Sequence, residues 1–281
     1  MKRLFISDLD GTLLNSKCKL TEFSKNSINE LIENGLNFTI ATARSLNSAA
    51  PILEGLNLKL PMVLYNGVLV YDPVSKTNLQ ENFISTSNTA LILEEMEAQN
   101  VEPIVFSLSD QYGASAYYRN KQNTHMATYI NTRLSQNDQR FKQIKTFEGI
   151  SNENILTVIC IGNARELESL KHQIELKVDV EIHFAKDVYY PDAHWLEFTA
   201  KNSTKKSGVQ FLKQHLKAEK TIVFGDNLND IPMFEVADEK YATENGREEL
   251  KAVATAVIDK NDNDAVANFL LQWNTNKLTN T

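Results

Sequence analysis

Apolar positions along the chain follow two rhythms, and the change of rhythm divides it. At both ends, short unbroken apolar runs alternate with helix-periodic stretches, the pattern of a parallel sheet covered by helices. Leu4, Phe5 and Ile6 form the first such run, in a strand read over residues 4–7. Ile28, Leu31 and Ile32 then repeat at i, i+3 and i+4 behind Thr21, a good N-cap, and Gly35 stands where the helix should stop. Residues 36–42 and 62–65 read as the next strands. Asn66-Gly67 follows, and an Asn-Gly pair between apolar runs predicts a hairpin onto residues 68–71. Later, residues 207–216 are helix-periodic and residues 221–224 read as a buried strand.

The middle reads differently. Residues 91–98 and 164–176 suggest helices, and residues 104–108 and 156–161 suggest strands. Residues 178–184 alternate strictly, with Val178, Val180, Ile182 and Phe184 on one face and Asp179, Glu181 and His183 on the other. A strand covered on both faces would not carry those charges, so this sheet should have one dry and one wet face. The fold class is therefore α/β. A parallel sheet flanked by helices occupies residues 1–79 and 191–281, and a smaller α+β domain is inserted over residues 80–190. The tail, residues 274–281, is expected to be frayed.

Composition narrows the partners. The 281 residues are 42% hydrophobic and 23% charged, enough apolar material for two ordinary cores. A net charge of −7 supplies no basic face, which argues against nucleic acid or an anionic membrane as partner. No apolar run approaches the ~20 residues that span a bilayer, and the first one is too short for a signal peptide. Cys18 and Cys160 are isolated, which suits a reducing compartment. The expectation is a cytoplasmic protein, monomer or homodimer, acting on a small molecule.

Two apolar runs end abruptly on carboxylates. Residues 4–7 lead into Asp8-Leu-Asp-Gly-Thr12, and residues 221–224 into Gly225-Asp-Asn-Leu-Asn-Asp230. In an open parallel sheet, ligands bind beyond the carboxyl ends of the strands. If these strands are neighbours, Asp8, Asp10, Asp226 and Asp230 converge on one crevice and repel one another unless a divalent cation and a lysine join them. Oxygen ligands of this kind suit Mg2+. The rival readings are an Asx-type turn closing a strand and a calcium loop. The latter needs Glu at its twelfth position, where this chain has Lys19.

Asp8-Leu-Asp-Gly-Thr12 resembles the first motif of the haloacid dehalogenase (HAD) superfamily of phosphohydrolases. Thr42 resembles the second, the stretch from Leu196 to Lys205 the third, and Gly225-Asp-Asn-Leu-Asn-Asp230 the fourth, all in family order. The insert resembles the type IIB cap of the Cof-like subfamily, which acts mostly on phosphorylated sugars and related metabolites. The resemblance implies a Rossmann-like catalytic core with the inserted α+β domain as a specificity cap. It implies a phosphatase in which Asp8 forms an aspartyl-phosphate and Asp10 exchanges protons with the leaving alcohol and with water. Mg2+ would be held by Asp8, the Asp10 carbonyl and Asp226, with Asn229 and Asp230 around them. Thr42 and Lys205 would act on the phosphoryl group, and the substrate side would include Ala43, Arg44 and Asn229. A sugar phosphomutase using the same intermediate and a vestigial sugar-phosphate sensor are the alternatives.

The family's usual Thr-Gly-Arg is here Thr42-Ala43-Arg44, which bears on a close backbone approach to phosphate. Glu244-Asn-Gly-Arg-Glu248 and Ala265 are further departures, and Asn66 and Asn245 match positions where the subfamily often has Asn. In the insert, Tyr112, Tyr117, Tyr118, Tyr129, Tyr189, Tyr190, His194 and Trp195 suit either ring recognition or a small core. Arg119 and Lys121 would meet a second anionic group or solvent.

Overall fold

The computed structural model describes residues 2–109, 113–120, 123–187 and 192–279. The chain begins with β1 (Arg3–Ser7), α1 (Glu22–Glu33), β2 (Phe38–Ile40), α2 (Leu46–Ala49), β3 (Met62–Leu64), β4 (Leu69–Asp72) and β5 (Thr77–Glu81). The middle holds α3 (Thr86–Ala98), β6 (Ile104–Ser109), β7 (Gly113–Tyr118), α4 (Thr124–Ser135), β8 (Phe141–Gln143), β9 (Asn154–Gly162), α5 (Ala164–Lys177), β10 (Val180–Lys186) and β11 (His194–Ala200). The last part runs through α6 (Lys205–His215), β12 (Lys220–Gly225), α7 (Ile231–Val236), β13 (Glu239–Thr243), α8 (Glu248–Lys251), β14 (Ala256–Ile258) and α9 (Ala265–Thr279). Two units result. One takes the chain up to Glu81 and from Ser203 onward, and the other is Asn82–Asn202.

The first unit is built on a five-stranded sheet in the order β14-β13-β12-β1-β2, with every pair parallel. The unbroken apolar run of β1 is explained by cover on both faces. Leu4 and Ile6 join Val223, Val209, Leu212, Met233 and Phe234 in one cluster. Phe5 points the other way and meets Trp273 of α9 edge-on, with ring centroids 4.8 Å apart. Fully burying a side chain of this size contributes about 1.5–3 kcal/mol, so a charge within β1 would be untenable. Thr21 caps α1 as its sequence position predicts, accepting the Ser24 N–H at 3.0 Å. The last helix continues to Thr279, so residues 274–279 are helical where fraying was expected; residues 280 and 281 lie outside the described residues.

Strand β2 is shorter than residues 36–42, because Ala41 leaves it to bridge Val63. The hairpin is present, with Leu64 opposite Leu69, but Tyr65–Val68 lie between the paired strands instead of Asn66-Gly67 alone. The turn is widened by a second duty. The Asn66 N–H donates to the Thr42 carbonyl at 3.0 Å and the Tyr65 N–H to the Arg44 carbonyl at 3.1 Å. Both turn residues adopt left-handed backbone, φ 48° and 54°. Beyond it β5, a polar strand with no periodic signal, completes the three-stranded sheet β3-β4-β5.

The second unit has a six-stranded sheet in the order β10-β11-β9-β6-β7-β8, antiparallel except for β7–β8. Val180, Ile182 and Phe184 of β10 lie opposite Ala200, Phe198 and Leu196 of β11. This face packs on Ile92 and Met96 of α3 and Leu167, Leu170 and Ile174 of α5. The other face pairs His183 with Glu197 and Glu181 with Thr199. The alternation thus corresponds to one dry and one polar face along β10, whereas β9 is buried on both faces, with Ile159 and Ile161 covered on the second. The second boundary lies after Asn202 instead of residue 190, because β11 hydrogen-bonds to β10 and β9.

The insert's aromatics largely pack on one another. Tyr129 stands edge-on to Trp195 at 5.1 Å and to Phe141 at 6.0 Å, Tyr118 is buried, and His194 stacks on Phe184 at 5.3 Å. Arg119 is paired with Glu97 and Glu102. Tyr112, Lys121, Tyr189 and Tyr190 lie outside the described residues. Among the described residues, no helix is long and apolar enough to cross a membrane.

Candidate active site

Strands β1 and β12 run side by side in parallel register, with Ser7 opposite Phe224. The turns leaving their C-terminal ends therefore start together, and the Asp8 N–H donates to the Phe224 carbonyl at 3.0 Å. After β1 the chain makes one wide turn over Leu9–Leu13, with Gly11 at φ 78°. That glycine is required twice: the backbone is left-handed, and an added Cβ would stand 2.3 Å from Asp226 Oδ2. Gly225 meets a similar limit, its Cβ position being 2.7 Å from the Asp230 carboxyl carbon.

Asp8, Asp226 and Asp230 each offer an oxygen, and these lie within 4.8 Å of one another. Lys205, the first residue of α6, reaches in from the far side and is 1% exposed. Its Nζ donates to Asp8 Oδ1 and to Asp230 Oδ1, both at 2.6 Å. A capping box of Thr204 and Ser207 fixes the helix end that presents it. The neighbouring Lys201 is exposed and Lys206 half-buried, and they pair with Asp179 and Glu235. Asp230 is fully occupied as an organiser: its second oxygen accepts the backbone N–H groups of Asp226, at 2.9 Å, and Asn227, at 3.0 Å. Thr12 donates to Asp226 Oδ1 at 3.0 Å.

The electrostatics follow from this crowding. Burial pushes the Asp8 carboxyl well above the usual range; Lys205 pulls it back, and the charges of Asp230, Asp226 and Asp10 push it up again. Asp226 is pushed up to about 7, chiefly by burial and by Asp230, against the hydrogen bond from Thr12. For Lys205 burial alone would favour the neutral amine, but Asp230 and Asp8 hold it firmly charged. Three carboxylates facing one lysine leave a charge of −2 (−3 + 1) when all are ionised. A divalent cation would cancel it, and an all-oxygen donor set is what Mg2+ prefers. The residues present therefore fit such an ion.

Of the four carboxylates expected to converge, Asp10 does not join the cluster: its carboxylate turns to Arg44 instead. Thr42, 1% exposed, follows β2 and accepts the Arg44 N–H on its hydroxyl at 3.1 Å. Ala43 is exposed and not in a left-handed conformation, so alanine is unstrained where the family usually has glycine. The Asp10 carboxylate accepts two bonds of 2.6 Å from the Arg44 guanidinium, one from Nε and one from an Nη. Asn229 donates to Asn66 Oδ1 at 3.1 Å. Asn245 donates to the Gly11 carbonyl at 2.8 Å and accepts the Asn261 N–H, tying the β13 loop to the turn after β1.

Sequence reading missed three features: the Thr12–Asp226 bond, the Arg44–Asp10 pair and the hold of Asp230 on the Asp226 and Asn227 N–H groups. Thr12 stood within the quoted motif, and Asp230 four residues after Asp226 at the start of a helix gave a hint of a cap. Nothing in the sequence signals the Arg44–Asp10 pair.

A family model described as haloacid dehalogenase-like hydrolase matches residues 5–270. Phosphatase YwpJ of Bacillus subtilis is 25% identical, over 95% of this chain and 98% of that protein. The 5-amino-6-(5-phospho-D-ribitylamino)uracil phosphatase YitU of the same organism is 24% identical, over 96% and 97%. The crystal structure of TM0651 from Thermotoga maritima superposes with a TM-score of 0.77 at 26% identity, covering 97% of each chain. The chain belongs to the haloacid dehalogenase-like hydrolase family, in its Cof-like branch, and is a phosphoric monoester hydrolase.

Proposed function

We propose that this protein is a Mg2+-dependent phosphatase that hydrolyses a small phosphorylated metabolite, a sugar phosphate or a similar compound, through an aspartyl-phosphate on Asp8. One observation carries the reading: three carboxylate oxygens within 4.8 Å of one another face a single buried lysine. The substrate class is supported by the family resemblance and by YitU, whose name gives it a phosphorylated ribityl compound.

In the first half-reaction an Asp8 carboxylate oxygen attacks phosphorus. The bond from phosphorus to the ester oxygen breaks, and Asp10 gives that oxygen a proton, releasing the alcohol. In the second, water attacks the same phosphorus, Asp10 takes a proton from it, and the acyl-phosphate bond breaks to restore Asp8 and release inorganic phosphate. Lys205 holds Asp8 in place and balances charge near the transferred group. The Thr42 hydroxyl already accepts the Arg44 N–H, so its hydrogen donates to a phosphoryl oxygen. Asp8, Asp226 and the Asp10 carbonyl would hold Mg2+, with Asn229 and Asp230 beside them; bound there, the ion supplies charge neutralisation for the phosphoryl oxygens. Most of the acceleration in such transfers comes from positioning and electrostatics.

The test is release of inorganic phosphate from p-nitrophenyl phosphate and a sugar-phosphate panel, with Mg2+ and with EDTA. Turnover that requires Mg2+ and disappears in Asp8→Asn is expected. Metal-independent turnover, an isomeric phosphate as product, or full activity in Asp8→Asn would overturn the reading.

A further inference from the structure

We propose that Arg44 is a positioning residue for proton transfer: its guanidinium fixes the orientation of the Asp10 carboxylate. The inference rests on the acid–base part given to Asp10 above and adds the residue that sets its geometry.

Both oxygens of Asp10 are engaged, Oδ2 by Nε and Oδ1 by an Nη of Arg44, each at 2.6 Å. This two-point fork fixes the position and the plane of the carboxylate together, which a lysine cannot do. Each carboxylate oxygen has two lone pairs, so the fork uses one on each and leaves one on each for a proton. Arg44 is itself held at both backbone ends: its N–H donates to Thr42 Oγ1 at 3.1 Å, and its carbonyl accepts the Tyr65 N–H at 3.1 Å. The widened turn after β3 thus holds the loop that carries the guanidinium. Stability gives no adequate reason for the pair, since the Asp10 side chain is 44% exposed and exposed ion pairs contribute little. Asp10 lies within the glycine-dependent turn, directly before Gly11, and its side chain is half-exposed, so without the fork its carboxylate would sample several rotamers. General acid catalysis needs the donor within hydrogen-bond reach of the leaving oxygen.

Leaving groups separate this role from phosphate binding. p-Nitrophenolate departs without a proton, whereas the alkoxide of β-glycerol phosphate does not. In Arg44→Met and Arg44→Lys, kcat on β-glycerol phosphate should fall by about 10–100-fold, part of the 10²–10⁴ typical of general acid–base catalysis. The loss on p-nitrophenyl phosphate should be at least about tenfold smaller, and in an Asp10→Asn background the Arg44 substitutions should add little. Equal losses on both substrates, a change confined to KM, or full additivity with Asp10→Asn would overturn the positioning role and leave the phosphatase reading intact. A wild-type chain that turns over neither substrate overturns both.

Discussion

Acidic side chains are treated in opposite ways in the two units. In the inserted unit two arginines hold acids at close range. Arg119 takes Glu102 through two bonds of 2.7 and 2.8 Å and Glu97 through a third of 2.5 Å, and Arg140 takes Asp138 at 2.6 Å and holds it below the usual carboxylate range. Each of these acids faces a guanidinium directly. Beyond β1 and β12, Asp8, Asp226 and Asp230 share one lysine, and two of the three acids are pushed upward. Folding alone would not select an uncompensated cluster, because burying a charge without a partner is costly. Under the proposed function, a bound divalent cation would offset this excess.

Removing the cation from each region should sharpen that contrast. Lys205→Met strands two buried carboxylates and should destabilise the metal-free protein by about 3–5 kcal/mol, read from urea unfolding. A loss below that of the Arg119 variant would mean that the cluster is less charged than described.

Acid pairing also sets the sign of the pH dependence. A carboxyl that keeps its proton longer when folded gives stability that is complete below 3.8 and is lost as pH rises through about 7, as for Asp226. Between those values the metal-free protein should lose on the order of 3 kcal/mol. Mg2+ at 100 times its Kd should return about 2.7 kcal/mol at pH 8 and much less at pH 5. Asp138, held low by Arg140, acts in the reverse sense: its contribution is present above 3.8 and lost as the solution becomes more acidic. Thermal melting from pH 3 to 8, with and without Mg2+, separates the two. A metal-free curve that is flat between pH 4 and 7 would contradict the raised carboxyls.

The smallest effect is expected in the insert. Arg119→Met should cost about 1–3 kcal/mol, the scale for hydrogen bonds to charged groups. Its destabilisation should be insensitive to Mg2+, which urea unfolding in EDTA and in Mg2+ would check.

The regions also differed in how far their sequence disclosed them. Strands β1 and β12 were plain because a run covered on both faces admits no charge in its interior, and a run that ends in carboxylates stands out. Strand β10 was plain because one wet face forces strict alternation. Strand β5, Thr-Asn-Leu-Gln-Glu, has no comparable pattern; it is held as a partner of β4, and local residues do not encode that pairing. Strand β11 reads equally well as part of either unit, since only its ladder to β10 and β9 places it. Site residues within motifs were legible, whereas the Arg44–Asp10 pair joins side chains 34 positions apart by geometry alone.

The central claim, a phosphoryl group carried on Asp8, is tested most directly by acid-quenching the enzyme during turnover of p-nitrophenyl phosphate and measuring its peptides by mass spectrometry. A phosphoryl adduct on the peptide containing Asp8, absent in Asp8→Asn and more abundant in Asp10→Asn, is the expected result. Steady turnover with no adduct in either protein, or an adduct on another residue, would contradict it.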